Sequence, residues 1–266
     1  MPPEATGSTT INYAAAAPTY DNTRRHSDAL IDRFCRIARL DADAEVLEFG
    51  CGTGNYLYRI HERHGSRCHG VDPSAAMRTR AAAKSPALDI VDGSHAGIPF
   101  AEATFDFCYM VDVIHHVPDL PSMFGELLRV LKLGGALAVV TESHAQIEAR
   151  FYNRYFPSLA AVEKRRYPDL GVIIARAVEA GFRSPRVESF PRLEPSEVSA
   201  RFVTNVAERN YSMFRLIPEE EYAAGLNALR ADLGRRFDAG AAGGTMLCFS
   251  RPGALPLDPA KGREAL

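Results

Sequence analysis

The run Val46-Leu47-Glu48-Phe49-Gly50-Cys51-Gly52-Thr53-Gly54-Asn55 puts an acid near the end of an apolar strand and a glycine at every second position of the turn that follows. Glycine takes φ > 0 at little cost and has no Cβ, so such a turn lets the backbone approach a ligand closely. Tyr56 to Arg63 suit the first turns of a helix whose free N–H groups face that ligand. A dinucleotide fingerprint would need a third glycine at position 55, where Asn55 stands. It would also set the Glu48 carboxylate against a pyrophosphate. An acid there suits a cation. In His69-Gly70-Val71-Asp72-Pro73-Ser74, Asp72 falls 18 residues after Gly54, where a carboxylate accepts both hydroxyls of a ribose.

The pattern E-x-G-x-G-x-G resembles motif I of the class I S-adenosylmethionine-dependent methyltransferases, whose cofactor carries cationic amino and sulfonium groups. Phe105 to Val117 matches that family's fourth strand and the loop after it, and Leu127 to Gly135 followed by Ala136 to Thr141 matches its helix, glycine turn and fifth strand. The overall similarity is to the ubiquinone and menaquinone biosynthesis methyltransferases and to small-molecule enzymes of the same fold. The resemblance implies S-adenosyl-L-methionine as cofactor. Its contacts would come from Glu48, Gly50, Cys51, Gly52 and Asn55, from Asp72 and Pro73, from Ser94 and His95, and from Val111. A Tyr-Asp pair in the lead-in of similar enzymes folds over the cofactor, so Tyr20 either caps its methionine end or anchors the tail. Two positions depart from the family pattern. Ser94 stands five residues before Pro99-Phe100, where an acid often accepts from adenine, leaving adenine to backbone N–H groups, Ser94, His95 or Asp92. Leu133 replaces a proline before Gly134-Gly135, which alters turn rigidity.

Methyl transfer from a sulfonium is an in-line displacement that needs positioning and desolvation more than a protein nucleophile. A general base helps where the acceptor holds its proton near neutral pH. The candidates are Asp112 and His115, at the carboxyl end of the fourth strand. An acid that breaks the apolar run from Phe105 to Ile114 must find water, a partner or a ligand. His115 is a base of ordinary imidazole type, and its neighbour His116 is expected to pack or to cap the loop.

These residues need a frame. Apolar segments at Glu45 to Phe49, Arg67 to Val71, Leu88 to Val91, Phe105 to Val111 and Ala136 to Thr141 alternate with helical patterns near Tyr56, Ala75 and Ser122. That alternation predicts an α/β, Rossmann-like, doubly wound sheet, mostly parallel and seven-stranded. A helix over Ser27 to Leu40 precedes it, with Leu30, Ile31, Phe34 and Ile37 on one stripe. A helix over Asp169 to Ala180 leads to a sixth strand near Arg186 to Phe190, and Thr245 to Arg251 enters antiparallel at or near the sheet edge. One methyltransferase domain is expected over residues 19–251, between flexible tails at 1–18 and 252–266. Two segments exceed the minimal sheet, 144–167 and 193–233. Both follow strands whose carboxyl ends face the crevice, so a helical lid over the acceptor is expected.

A net charge of −2 over 266 residues offers no general attraction to nucleic acid, which favours a small organic acceptor. No stretch approaches the length of a membrane span, and the start lacks a basic segment leading into an apolar one. A cytoplasmic protein is expected. Cys35, Cys51, Cys68, Cys108 and Cys248 lack disulfide-scaffold spacing and read as free thiols. His61, His64, Cys68 and His69 do not make a metal set, because strand alternation sends Cys68 and His69 to opposite sides. Two other functions fit the same motifs: a non-catalytic cofactor-binding regulatory domain, and an RNA-base methyltransferase. The sequence leaves the oligomeric state and the methylated atom open.

Overall fold

The computed structural model describes residue 21 and residues 26–191, 196–238 and 243–253. Tyr20, the tail at 1–18 and most of the tail at 252–266 lie outside the described residues. The chain runs through α1 (Asp28–Cys35), β1 (Glu45–Phe49), α2 (Asn55–His64), β2 (Arg67–Val71), α3 (Ala75–Ala82), β3 (Leu88–Val91) and β4 (Phe105–Val111). It continues through α4 (Leu120–Val130), β5 (Leu131–Thr141), α5 (His144–Glu148), α6 (Leu159–Arg166), α7 (Leu170–Ala180) and β6 (Arg183–Pro191). It ends with β7 (Ser196–Glu197), α8 (Ala200–Ala207), α9 (Glu219–Ala231), β8 (Arg236–Phe237) and β9 (Gly243–Ser250).

Seven strands form one sheet in the order β3-β2-β1-β4-β5-β9-β6, parallel except for β9, which pairs antiparallel with both β5 and β6. The last strand therefore lies one place in from the edge. Strand alternation divides the core into two layers. Leu47, Cys108, Met110, Leu247 and Phe249 face α4 and α7, burying Phe124, Leu127 and Ile173. Val46, Phe107, Tyr109, Met246 and Cys248 face α1 and α2, burying Phe34, Leu57 and Ile60. The chain reverses its direction of winding between β1 and β4, and that switch point opens a crevice at the strands' carboxyl ends.

Several boundaries differ from expectation: the sixth strand runs Arg183–Pro191 and the last Gly243–Ser250. The first helix stops at Cys35, because Arg36 N–H turns to Arg33 O and Ile37 N–H to Phe34 O, tightening the last turn. The fifth strand begins at Leu131, not Ala136: Leu131 already pairs with Phe105, and the register shift before Phe107 absorbs the glycine turn, with Gly134 at φ +78°. Residues 144–167 and the described part of 193–233 are mainly helical, and β7 pairs antiparallel with β8, which lies beyond the second segment. The two segments share one core of their own, in which Phe156, Leu159, Val206, Phe214 and Leu229 are buried.

Candidate cofactor and acceptor site

The glycine turn leaves β1 with Gly50, Gly52 and Gly54 all at positive φ, of +70°, +53° and +72°. Gly50 has a second reason to be glycine: a Cβ there would lie 2.6 Å from Val113 Cγ1. The Gly50 and Cys51 N–H groups both donate to Val71 O, at 2.8 and 3.0 Å, which fastens the turn to β2. The Gly52 N–H donates to Asp72 Oδ2 at 2.9 Å, and the Ser74 N–H to Asp72 Oδ1 at 2.8 Å. Asp72 is only 9% exposed, and burial raises its carboxyl above the usual range despite those two donors.

Glu48 takes a different orientation from the one expected. It shares the Val46 face of β1, so its carboxylate lies behind the turn, where the Tyr109 hydroxyl donates to it at 3.1 Å and the Leu57 N–H also reaches it. Burial pushes this carboxyl up to about 8. From β1 this carboxyl reaches the Leu57 N–H in the first turn of α2 and so supports the loop from beneath. The pleat, not the ligand, sets its direction.

A cavity of about 120 Å³ lies in the crevice. Gly50, Gly52, Asp72, Pro73, Ser94, His95 and Asp112 line it, together with His116, which the sequence assigns to packing or capping, and with Phe49, Met77, Gly93, Val113 and Val117, which it does not single out. None of these is a lysine or arginine. Asp112 takes the left-handed conformation, φ +55°, as the chain leaves β4, and its N–H donates to Val140 O at 3.0 Å. A non-glycine residue held there is uncommon and marks a backbone fixed by its surroundings.

Several expected contributors face elsewhere. Cys51 is buried and its Sγ occupies the space over Gly70, where a Cβ would meet it at 2.7 Å. Asn55 engages Asp21 and Lys84 through its side chain. Val111 packs into the α1–α2 core layer, and Asp92 pairs with Arg78 at 2.8 Å. His115 stacks on Tyr167, ring centroids 4.0 Å apart and planes at 13°, and His116, which the sequence assigns to packing, is on the cavity wall. Tyr167 belongs to the 144–167 segment, which a buried ion-pair set ties to the end of β5: Arg150 donates to Glu142 at 2.8 and 2.9 Å and to Glu163 at 3.0 Å. Apolar residues flanking a motif carry no signature of their own, which is why Val113 and Val117 escape notice in the sequence. Lys84 escaped too, lying 30 residues beyond the loop it contacts.

A larger cavity of about 560 Å³ is lined by Glu148, Arg150, Asn153, Arg154, Arg236 and Phe237 among others, and by no residue of the glycine turn. Among the described residues, no cluster of His, Cys, Asp and Glu is arranged to hold a metal ion, and no helix is long and apolar enough to cross a membrane.

Residues 47–139 match a family model described as a methyltransferase domain. The chain is 31% identical to 24-methylenesterol C-methyltransferase 2 of Oryza sativa subsp. japonica over 42% of its own length and 32% of the relative's. It is 32% identical to the ubiquinone/menaquinone biosynthesis C-methyltransferase of Rhizobium meliloti over 42% of its length and 48% of the relative's. The chain thus spans less than half the length of either relative. A candidate methyltransferase from an antibiotic biosynthesis pathway of Anabaena variabilis superposes with a TM-score of 0.70 over 86% of this chain and 99% of that one, at 21% identity. Phosphoethanolamine N-methyltransferase 2 of Haemonchus contortus does so with a TM-score of 0.58 over 90% of this chain and 57% of that one, at 18% identity. At such identities the structural likeness is one of fold. Residues 47–139 thus match a methyltransferase domain, with the sequence motifs in order on a sheet of this topology.

Proposed function

We propose that the protein binds S-adenosylmethionine in the crevice and transfers its methyl group to a small organic acceptor. The observation that carries this is Asp72: a buried carboxylate on the cavity wall, held by the Gly52 N–H, facing a space whose described lining contains no lysine or arginine. A wall of that charge rejects a pyrophosphate and accepts ribose hydroxyls and a cation. The residues therefore fit the nucleoside. Asp72 would take the ribose, the turn from Gly50 to Gly52 the amino-acid arm, and Ser94, His95 and Val117 the base. When bound, the cofactor supplies an activated methyl carbon on a cationic sulfur.

The chain's own work is positioning and exclusion of water. Asp112 lies on the same wall at the end of β4, and we assign it to receive the proton of an acceptor that arrives protonated. His115, stacked behind on Tyr167, would support that loop. The names of the curated relatives point to acceptors of varied chemistry, a methylenesterol and a quinone precursor among them. The net charge of −2 supports a small acceptor over a nucleic acid.

Calorimetry with S-adenosylhomocysteine tests the binding half. Asp72→Ala is expected to weaken affinity by ~1.5 to 3 kcal/mol through loss of charge-assisted bonds, and unchanged affinity would remove the assignment. Incubation with methyl-labelled cofactor and separate metabolite and RNA pools tests the transfer half. Label in small molecules supports it. Label confined to RNA, or binding with no product at any enzyme concentration, overturns it in favour of the RNA-directed or the non-catalytic alternative.

A further inference from the structure

Lys84 stands two residues past the end of α3 and sends a half-buried ammonium back over the glycine turn. It lies 3.3 Å from Thr53 Oγ1 and contacts Asn55 Oδ1. It is also 3.3 Å from Asp21 Oδ2. Asp21 Oδ1 in turn accepts from the Thr53 hydroxyl at 2.5 Å and from Asn55 Nδ2 at 3.0 Å. Four residues from three separate stretches of chain thus close one polar ring at the start of α2.

The ring has a charge logic. Burial pushes the Lys84 ammonium below its usual value. Burial also works to raise the Asp21 carboxyl, but the bonds from Thr53 and Asn55 and the Lys84 charge outweigh it and hold the group below the carboxylate range. Gly54 is the N-cap of α2 and supplies no side-chain cap, so an anion from Asp21 complements the positive end of that helix. An exposed lysine would contribute little to such a pair. This one is only 21% exposed at its side chain and gives its donors to residues of the turn itself.

We propose that Lys84 is a positioning residue for the cofactor: by holding Asp21 against Thr53 and Asn55 it fixes the shape of the glycine turn and slows the departure of the nucleoside bound there. This role rests on the cofactor reading above. It also differs from direct recognition, because Lys84 would act through Asp21.

The experiment measures the affinity and dissociation rate of S-adenosylhomocysteine, by calorimetry and stopped flow, in the full chain and in Lys84→Met, Asp21→Asn, the double variant and Lys84→Arg. Amide exchange across Thr53 to Tyr58 is followed without ligand. Lys84→Met and Asp21→Asn are each expected to speed dissociation by about tenfold, since truncating one partner of a desolvated charge pair acts mainly on the off-rate. The double variant should be no worse than either single one, because both remove the same contact. Lys84→Arg should keep most of the affinity, and exchange should quicken in Lys84→Met. If Asp21→Asn binds as tightly as the parent or more so, or if Lys84→Met stays within about twofold with unchanged exchange, the proposal is overturned while the cofactor reading stands. If the parent protein fails to bind, the cofactor reading itself falls, and this role with it.

Discussion

Around the glycine turn, backbone groups and buried acids drawn from neighbouring stretches of sequence hold one another through hydrogen bonds, whereas residues 151–162 and 198–237 build a separate core from aromatic rings that lie far apart in the chain. Glu48, Gly52 and Asp72 fall within 25 residues and act through hydrogen bonds of fixed direction. In the second region, Phe151, Tyr152, Phe156, Phe202, Phe214 and Phe237 meet in tilted, stacked and edge-on pairs 4.8 to 6.3 Å apart. Directional bonds tolerate no change of atom type. Aromatic packing tolerates changes of chemistry but not of volume.

The largest expected effect comes from opening a hole in the second region. Phe214 is fully buried and its ring sits 4.8 Å from that of Phe156. Phe214→Ala should cost about 3–5 kcal/mol in urea unfolding. If the two regions are independent, the affinity of the still-folded protein for S-adenosylhomocysteine stays within about twofold of the parent. A proportionate fall in affinity would break the comparison, because it would mean the aromatic core holds the glycine turn in shape.

The same contrast governs how much the sequence discloses. The sheet is plain in it, since short apolar runs such as Phe105 to Val111, buried on both faces, alternate with helical patterns as a covered parallel sheet requires. The positions of Asp72 and Asp112 on the cavity wall follow from their places at strand ends. The direction of Glu48 does not, because alternation fixes which side of the sheet a residue takes but a strand end admits both readings until α2 is placed. Which of His115 and His116 stands on the cavity wall depends on one short helical turn, Ile114–His116, whose direction is not written in a dipeptide of identical residues. The aromatic core is the least disclosed. Its partners are separated by up to 86 residues, from Phe151 to Phe237, and no local pattern says which ring meets which.

A smaller effect should appear in the dependence of stability on pH. The folded protein keeps the Glu48 proton up to about 8, against an ordinary value of 4.5. Between those values the folded state binds more protons than the unfolded one, so this group's contribution is fully present at low pH and is lost as pH rises through the window. Glu48→Gln, which keeps the hydrogen-bonding shape without the charge, should flatten the fall in melting temperature between about pH 5 and 8. The difference in stability near the top of the window should be on the order of 4 kcal/mol. An equally steep pH profile in the variant would assign the loss to other groups and remove the charged-loop half of the comparison. Bound S-adenosylmethionine, being cationic, should itself reduce the slope more than neutral-sulfur S-adenosylhomocysteine does.

The smallest effect is the most informative about whether the two regions communicate, because Tyr167 belongs to the 144–167 segment and yet stacks on His115 in the loop after β4. Such a pair is worth roughly 0.5–1.5 kcal/mol beyond its buried area. Tyr167→Phe should leave the His115 ring-proton resonances upfield in the NMR spectrum, since the ring current above the imidazole is retained. Tyr167→Leu should release them downfield and cost about 1 kcal/mol of stability. For the acceptor that the labelled-cofactor assay identifies, turnover should fall in Tyr167→Leu and recover in Tyr167→Phe, with cofactor affinity unmoved in both. A change in cofactor affinity instead would place Tyr167 with the glycine turn and not with the acceptor, and the boundary drawn between the two regions would have to shift to the far side of His115.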